Sequence, residues 1–389
     1  MRDILLRDLR CACSIPSPSR GEGVEVKTNE VLLFTKDQSK FTRESRKNRI
    51  LERRPERRAG ALSALVIFLE PFVACRNVLD NLSKNRDWRV TLKNRKFKKV
   101  GVLKGGPSSE REISLKSGAA VAKGLKAAGY EVVEVDVQGR SLELPEPVEA
   151  VFIALHGEFG EDGQIQKLLE ARGIPYTGSN PAASLASFDK RLSKDIFVKV
   201  GIPTAAYEVL GPNDTLSLPY PVVIKPPCQG STIGIFKVNG PGEWEAAFRS
   251  SLRYDGEVLA EAFIPGRELT VGIVGHTAFP VIEILAPDGW YDFTAKYGKG
   301  QSRHLCPAPL DPALAAKARQ IALDTFEALG CRGLGRVDFR LTDAGELYVL
   351  ELNNIPGFTE TSLLPEAAQA AGIGFAELCA TIMEMARVG

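Results

Sequence analysis

Apolar and polar positions alternate most sharply in LGRVDFRL (334–341) and ELYVLELN (346–353), two runs joined by TDAG. A period of two marks half-buried strands and the link is rich in turn formers, so the stretch is predicted to be a β-hairpin. Pairing Leu341 with Glu346 across a four-residue loop sets Arg336 opposite Glu351 and Asp338 opposite Val349. Asn353 then shares the face of Glu351, because alternate residues point the same way. Upstream, KKVGVLKGG reads as a short strand ending in a glycine turn. SSEREISLKSGAAVAKGLKAAG follows with helical spacing and a Ser109–Glu112 capping box. EVVEVDV and VEAVFIAL are the next strands. Strand, helix, strand predicts an α/β unit with a parallel sheet, its ligand crevice at the carboxyl ends of the strands, where Glu110 and His156 stand.

Further along, PYTGSNPAASLASFDKRLSKDIFVKVGIP holds a helix with Lys190 near its start, and VVIK is an apolar strand ending in Lys225. EVLAEAFIPGRELTVGIVG reads as paired strands. WYDFTAKYGKGQSRHLCPAPL has no regular period and reads as a mobile lid, while the last 28 residues or so read as two core-packing helices. The fold class predicted is α/β (α+β).

Length changes this picture by adding domains, since 389 residues exceed what one core usually holds. Charge adds an asymmetry. Residues 1–99 carry 24 Lys and Arg against 12 Asp and Glu, leaving 26 against 36 for the other 290 residues. The first 97 residues show no sustained period and contain RESRKNRILERRPERR and KNRKFKK, which predicts a basic, disordered extension. No methionine lies between Met1 and Met383, so the working protein is expected to begin near residues 90–98. No run of about 20 apolar residues could cross a bilayer. Seven scattered cysteines fit reduced thiols and a cytoplasmic protein.

The chemistry concentrates at the hairpin. Asp338, Glu351 and Asn353 are hard oxygen donors within reach of one Mg²⁺, and Arg336 stands beside them. A solvated Arg–Glu cross-strand pair is the commoner reading of such a face. The tail NIPGFT shifts the balance, because a Pro-Gly loop leading into a helix start presents N–H groups to an anion or oxyanion. Most lysines are simply solvated, but Lys225 precedes a loop whose Gly230, Ser231 and Gly234 suit a phosphate. No P-loop string occurs.

GGPSSEREIS, ALHGEFGEDGQIQ, VVIKPPCQGSTIG, EAFIPGRELTV, AKY and GRVDF…ELNNIPGFTETS, in this order, resemble the D-alanine–D-alanine ligases of the ATP-grasp superfamily, from about Lys98 onward. The resemblance implies an ATP-grasp fold with a parallel α/β domain (98–183), a small central subdomain (184–261) and a larger catalytic subdomain (262–389). It implies that Glu110, His156 and Ser362 bind D-alanine. It also implies that Lys190, Lys225, Ser231, Glu261, Ala262, Ile264, Glu268 and Lys296 bind ATP, with Glu261 and the backbone of Ala262 and Ile264 reading the base. Asp338, Glu351 and Asn353 would hold two Mg²⁺ or Mn²⁺ ions, Tyr297 would close the lid with Ser231 and Glu110, and Arg336 with the Gly357 amide would steady the oxyanion. The expected reaction is ATP-dependent ligation of two D-alanines through an acyl phosphate, for peptidoglycan synthesis, by a homodimer that needs neither membrane nor nucleic acid. The rival readings are a ligase with another acceptor, such as D-lactate, and a non-catalytic binding module whose basic arm contacts nucleic acid.

Overall fold

In this computed structural model the described residues are 95–230, 233–285 and 303–389, all in the compact unit Gly60–Gly389. The first sheet is built as the alternation predicts. Strand β1 (Lys99–Gly105) leads through helix α1 (Arg111–Ala127) to β2 (Glu131–Val137), and β3 (Ala150–Ile153) flanks β1 on its other side, all parallel. The predicted extension lies outside the described residues up to residue 94; of its last residues, Phe97 is buried in the core and Arg95 donates to the carbonyls of Ala128 and Gly129.

Helix α1 opens without the predicted capping box. Glu110 occupies the cap position, and Ser108 Oγ instead accepts the Glu110 N–H at 3.1 Å while donating to the His156 carbonyl at 2.6 Å. The Ser108 hydroxyl, one residue before the predicted cap, thus ties the helix start to the chain leaving β3.

Helices α2 (Gln164–Ala171), α3 (Pro181–Phe188) and α4 (Lys190–Val200) follow. Asn180 caps α3, and Asp189, in extended backbone, ends α3 and caps α4 through the Arg191 N–H. Strands β4 (Tyr207–Leu210), β5 (Val222–Lys225) and β6 (Phe236–Val238), helix α5 (Pro241–Asp255) and strand β7 (Val258–Ala262) form an antiparallel sheet in the order β4-β7-β5-β6. The third sheet contains β8 (Arg267–Val274), β9 (Thr277–Ala278), β10 (Ile282–Leu285), β11 (Arg303–Leu305), β12 (Leu334–Leu341) and β13 (Leu347–Asn353), with α6 (Pro312–Ala328) packed beneath it. Helices α7 (Leu363–Ala370) and α8 (Phe375–Glu384) return to pack with α1 in one core.

Two expectations are corrected. The strands of EVLAEAFIPGRELTVGIVG do not pair with each other, since β7 lies between β4 and β5 while β8 lies between β10 and β12. The chain changes sheet at Gly266, whose φ of +125° and approach to the Leu341 carbonyl leave no room for a Cβ. The hairpin register also differs. Leu341 pairs with Leu347 and Phe339 with Val349, but Asp338 faces Glu351 and Arg336 faces Asn353. Leu350 is the extra residue of a β-bulge, and it shifts everything beyond it by one position.

Candidate active site

The bulge brings Asp338 and Glu351 directly across from each other, with Arg336 and Asn353 as the next pair on the same face. Arg336 Nε and Nη2 donate to Asp338 Oδ1 and Oδ2 at 2.8 and 2.7 Å, a bidentate fork. Thr270 Oγ1 and Asn353 Nδ2 donate to the same carboxylate at 2.6 and 3.0 Å. Lys190, the first residue of α4, places its ammonium 3.5 Å from Glu351 Oε2 and donates to the Gln229 carbonyl at 2.8 Å. The glycine loop, the helix start and the hairpin therefore meet at one point, lined by Lys190, Gln229, Gly230, Glu351 and Asn353.

Beside it lies an open cleft between the second and third sheets. Lys225, Glu261, Ala262, Ile264, Glu268 and Arg340 line it, together with Asp338 and Glu351. Lys225 ends β5 with its ammonium 2.7 Å from Glu261 Oε2, and the other oxygen of Glu261 lies 2.6 Å from the ammonium of Lys194. Burial pushes the Glu261 carboxyl up, but the two ammonium groups more than reverse this and hold it below the usual carboxylate range. Arg340 donates to the carbonyls of Ile264 and Gly266 at 3.1 and 2.7 Å and to Glu268 at 3.3 Å, which fixes the strap where the chain changes sheet.

At the far side, the loop after β13 is tied to the first sheet. His156 is buried, with Nδ1 3.1 Å from the Ile355 carbonyl and Nε2 3.0 Å from Ser117 Oγ, and Phe358 N–H donates to the same hydroxyl. Asn354 donates to Glu161, Ser184 and Ser187. Ser362 sits at the cap position of α7 without capping it; its hydroxyl accepts the Thr359 N–H at 2.9 Å. Gly357 lies close by, where a Cβ would come within 3.6 Å of Ser362 Oγ. Glu110 approaches the phosphate-type loop so closely that a Cβ on Gly230 would sit 2.5 Å from Glu110 Oε2.

Ser231, Lys296 and Tyr297 lie outside the described residues, as does most of the expected lid. Of the other predicted site residues, Lys190, Lys225, Glu261, Ala262, Ile264, Glu268, Asp338, Glu351 and Asn353 line one or other of these two places, while Glu110, His156, Arg336, Gly357 and Ser362 are not among the lining residues of either. Lys194, Arg340, Thr270 and Ser117 were missed. The first two had a readable cue, because Lys194 is four residues from Lys190 on a helix and Arg340 two from Asp338 on a strand.

Two opposed carboxylates and one amide suit Mg²⁺, which takes one or two carboxylates and completes its shell with water and phosphate. Among the described residues no cluster of three His, Cys, Asp or Glu could cage a metal unaided. Ligation through the Asn353 oxygen asks for a half-turn of that amide, whose nitrogen now faces Asp338.

A parallel α/β unit followed by two antiparallel sheets that grip a lysine-lined cleft defines the ATP-grasp class of ligases. Comparison with known proteins narrows the class. Residues 196–384 match the family model "D-ala D-ala ligase C-terminus" and residues 138–179 match "D-ala D-ala ligase N-terminus". The D-alanine–D-alanine ligase of Methylacidiphilum infernorum is 50% identical over 286 residues, 74% of this chain and 94% of that one. That of Bordetella parapertussis is 47% identical over 304 residues, covering 75% and 96%. The crystal structure of the Bacillus anthracis D-alanine–D-alanine ligase complexed with ATP superposes with a TM-score of 0.64 at 31% identity, covering 74% of this chain and 97% of that one. The chain belongs to the D-alanine–D-alanine ligase family.

Proposed function

We propose that this protein uses ATP and Mg²⁺ or Mn²⁺ to join two D-alanine molecules into D-alanyl-D-alanine, releasing ADP and phosphate, as a step of peptidoglycan precursor synthesis in the cytoplasm. The observation that carries the reading is the meeting of Asp338 and Glu351, opposed on one hairpin, with Lys190 at Glu351 and Lys225 in the adjoining cleft. The three sheets correspond to the substrate, central and catalytic domains, and the working form is a homodimer.

A carboxylate does not acylate an amine at neutral pH until it is activated. Attack of one D-alanine carboxylate oxygen on the γ-phosphorus breaks the bond to ADP and gives an acyl phosphate. Here the protein's task is positioning and neutralising spread negative charge. Lys190, Lys225 and Lys296 serve the phosphates; Ala262, Ile264 and Glu268 hold the nucleoside, with Glu261 at the base end. Asp338, Glu351 and Asn353 hold Mg²⁺, which when bound supplies further positive charge at the phosphates. The amine of the second D-alanine then attacks the acyl carbon, and phosphate leaves with the carbon–oxygen electron pair. Arg336 and the Gly357 amide stabilise the tetrahedral oxyanion, a contribution of about 3 kcal/mol for one such donor. Glu110 and His156 receive the first D-alanine and Ser362 the carboxylate of the second; Tyr297 and Ser231 close over them.

The test is phosphate release from ATP and Mg²⁺ by the purified chain with D-alanine or L-alanine. One phosphate per dipeptide with D-alanine, and little with L-alanine, is expected. Equal release with the two enantiomers, or none with either, defeats the reading.

A further inference from the structure

Helix α4 turns two lysines to the same side, because residues four apart share a face. Lys190 reaches the glycine loop and Glu351. Lys194, one turn on, is fully buried and goes elsewhere: its ammonium lies 2.6 Å from Glu261 Oε1 and donates to Thr204 Oγ1. Thr204 in turn donates to the Val349 carbonyl at 2.8 Å, and Val349 N–H donates to Pro203, so the ammonium is anchored beside the bulged strand. The opposite oxygen of Glu261 belongs to Lys225 at 2.7 Å. Two buried ammonium groups thus share one buried carboxylate. Burying a charge is expensive unless it is paired, so a second lysine on a carboxylate that one would satisfy calls for a reason.

The reason is charge balance at Lys225. With Lys225 alone, Glu261 would cancel its charge and hold it back from any anion. A second cation on the same carboxylate leaves the group with one net positive charge, and Lys225, unlike Lys194, lines the cleft, beside Glu261. We infer that Lys194 is a positioning residue for nucleotide phosphate: by taking one oxygen of Glu261 it lets Lys225 present its charge to the polyphosphate. This rests on the cleft being the ATP site. Burial lowers the Lys194 pKa and the charge of Glu261 opposes that, while the two lysines hold Glu261 down against its own burial, so each side of the group keeps its charge through the other and the 2.6 Å contact carries the argument.

The experiment is Lys194→Met in the full chain, with affinities for ATP and for adenosine measured by calorimetry in Mg²⁺. Adenosine fills the base pocket but carries no phosphate. The Kd for ATP should rise roughly tenfold or more, as when one partner of a buried charge group is removed. Adenosine affinity should fall by a clearly smaller factor, since Glu261 at the base end loses one of its two partners, and the KM for D-alanine should stay within about twofold. ATP binding left unchanged, or ATP and adenosine weakened in parallel, overturns the inference, since a merely structural lysine would affect both alike. If the unaltered chain binds no ATP, the ligase reading falls first and this falls with it. Should K194M not fold, K194Q, which can still hydrogen-bond Glu261 and Thr204 but carries no charge, takes its place with the same two ligands, and a K194Q chain that binds ATP as the unaltered chain does refutes the assignment.

Discussion

The Asp338 carboxylate is the point where fold and chemistry are most tightly joined, and replacing it tests both. It is buried and accepts four hydrogen bonds, two from Arg336 and one each from Thr270 and Asn353. Asp338→Ala removes the bidentate partner of a buried guanidinium, a loss of about 3–5 kcal/mol. In a folded unit of this size each kcal/mol moves Tm by about 1.5–2 °C, so a drop of roughly 5–10 °C is expected. Asp338→Asn keeps the shape but only one acceptor oxygen, and should cost about 1–3 kcal/mol. Melting is followed by circular dichroism with EDTA, with ATP, and with ATP plus Mg²⁺. At a hundred times its Kd, metal–nucleotide should stabilise the unaltered protein by about 2.7 kcal/mol. The part of that gain which depends on Mg²⁺ should vanish in both variants. An Ala variant melting within about 2 °C of the unaltered chain, about 1 kcal/mol, would refute the buried fork. A surviving Mg²⁺ increment would remove Asp338 from the ligand set.

Arg336→Lys keeps a charge but not the planar fork, so turnover should fall roughly a hundredfold while ATP affinity, read by calorimetry, stays near normal. Gly266→Ala sets a Cβ 2.0 Å from the Leu341 carbonyl at a φ of +125°, where backbone must move, and a loss of at least about 1–3 kcal/mol in urea unfolding is expected. Asp189→Ala removes the α4 cap and should cost about 1–2 kcal/mol. Burial raises the Asp189 carboxyl, but hydrogen bonds and charge from Arg191 outweigh it and leave the pKa lowered. The cap's contribution is therefore complete above about pH 4, the unfolded value, and is lost as pH falls through the lower folded value. The difference in stability between the unaltered chain and the Ala variant should shrink on acidification, and a difference that grows would contradict the sign.

How much of this was legible follows from what each kind of pattern encodes. Period-two alternation identified β12 and β13, and the strand–helix–strand order identified the parallel sheet, because both are local consequences of which face is buried. A bulge is invisible to that signal where its extra residue is apolar among apolar neighbours, as Leu350 is beside Val349; it accounts for one residue of the difference that brings Asn353, and not Glu351, opposite Arg336, and the turn, one residue longer than expected, accounts for the other. Strands β7 and β8 read as a pair because they follow one another along the chain, and consecutive strands commonly lie side by side. What separates them is a long-range matter, Arg340 and the Leu341 carbonyl closing on the strap at Gly266. Lys194 reads like any solvated lysine until its turn of helix is known to face a buried glutamate.

The same structure explains why so many charges can sit in and around one cleft. Lys190 faces Glu351, Lys225 and Lys194 face Glu261, Arg336 faces Asp338 and Arg340 faces Glu268. Five cations meet four carboxylates, all drawn from strands and helix starts whose positions the sheets fix. Such pairing lowers the cost of burial in the free protein, since each ion has a counter-ion at hand. It also sets the terms of binding. A nucleotide polyphosphate must compete with Glu351 and Glu261 for the lysines, so affinity depends on how firmly those carboxylates are held by other cations. Removing any one charge therefore changes the balance at a neighbour as well as the contact itself. Substitutions at these residues should be non-additive, with coupling strongest within a pair and its shared carboxylate and weak between the Arg340–Glu268 strap and the Lys190–Glu351 pair.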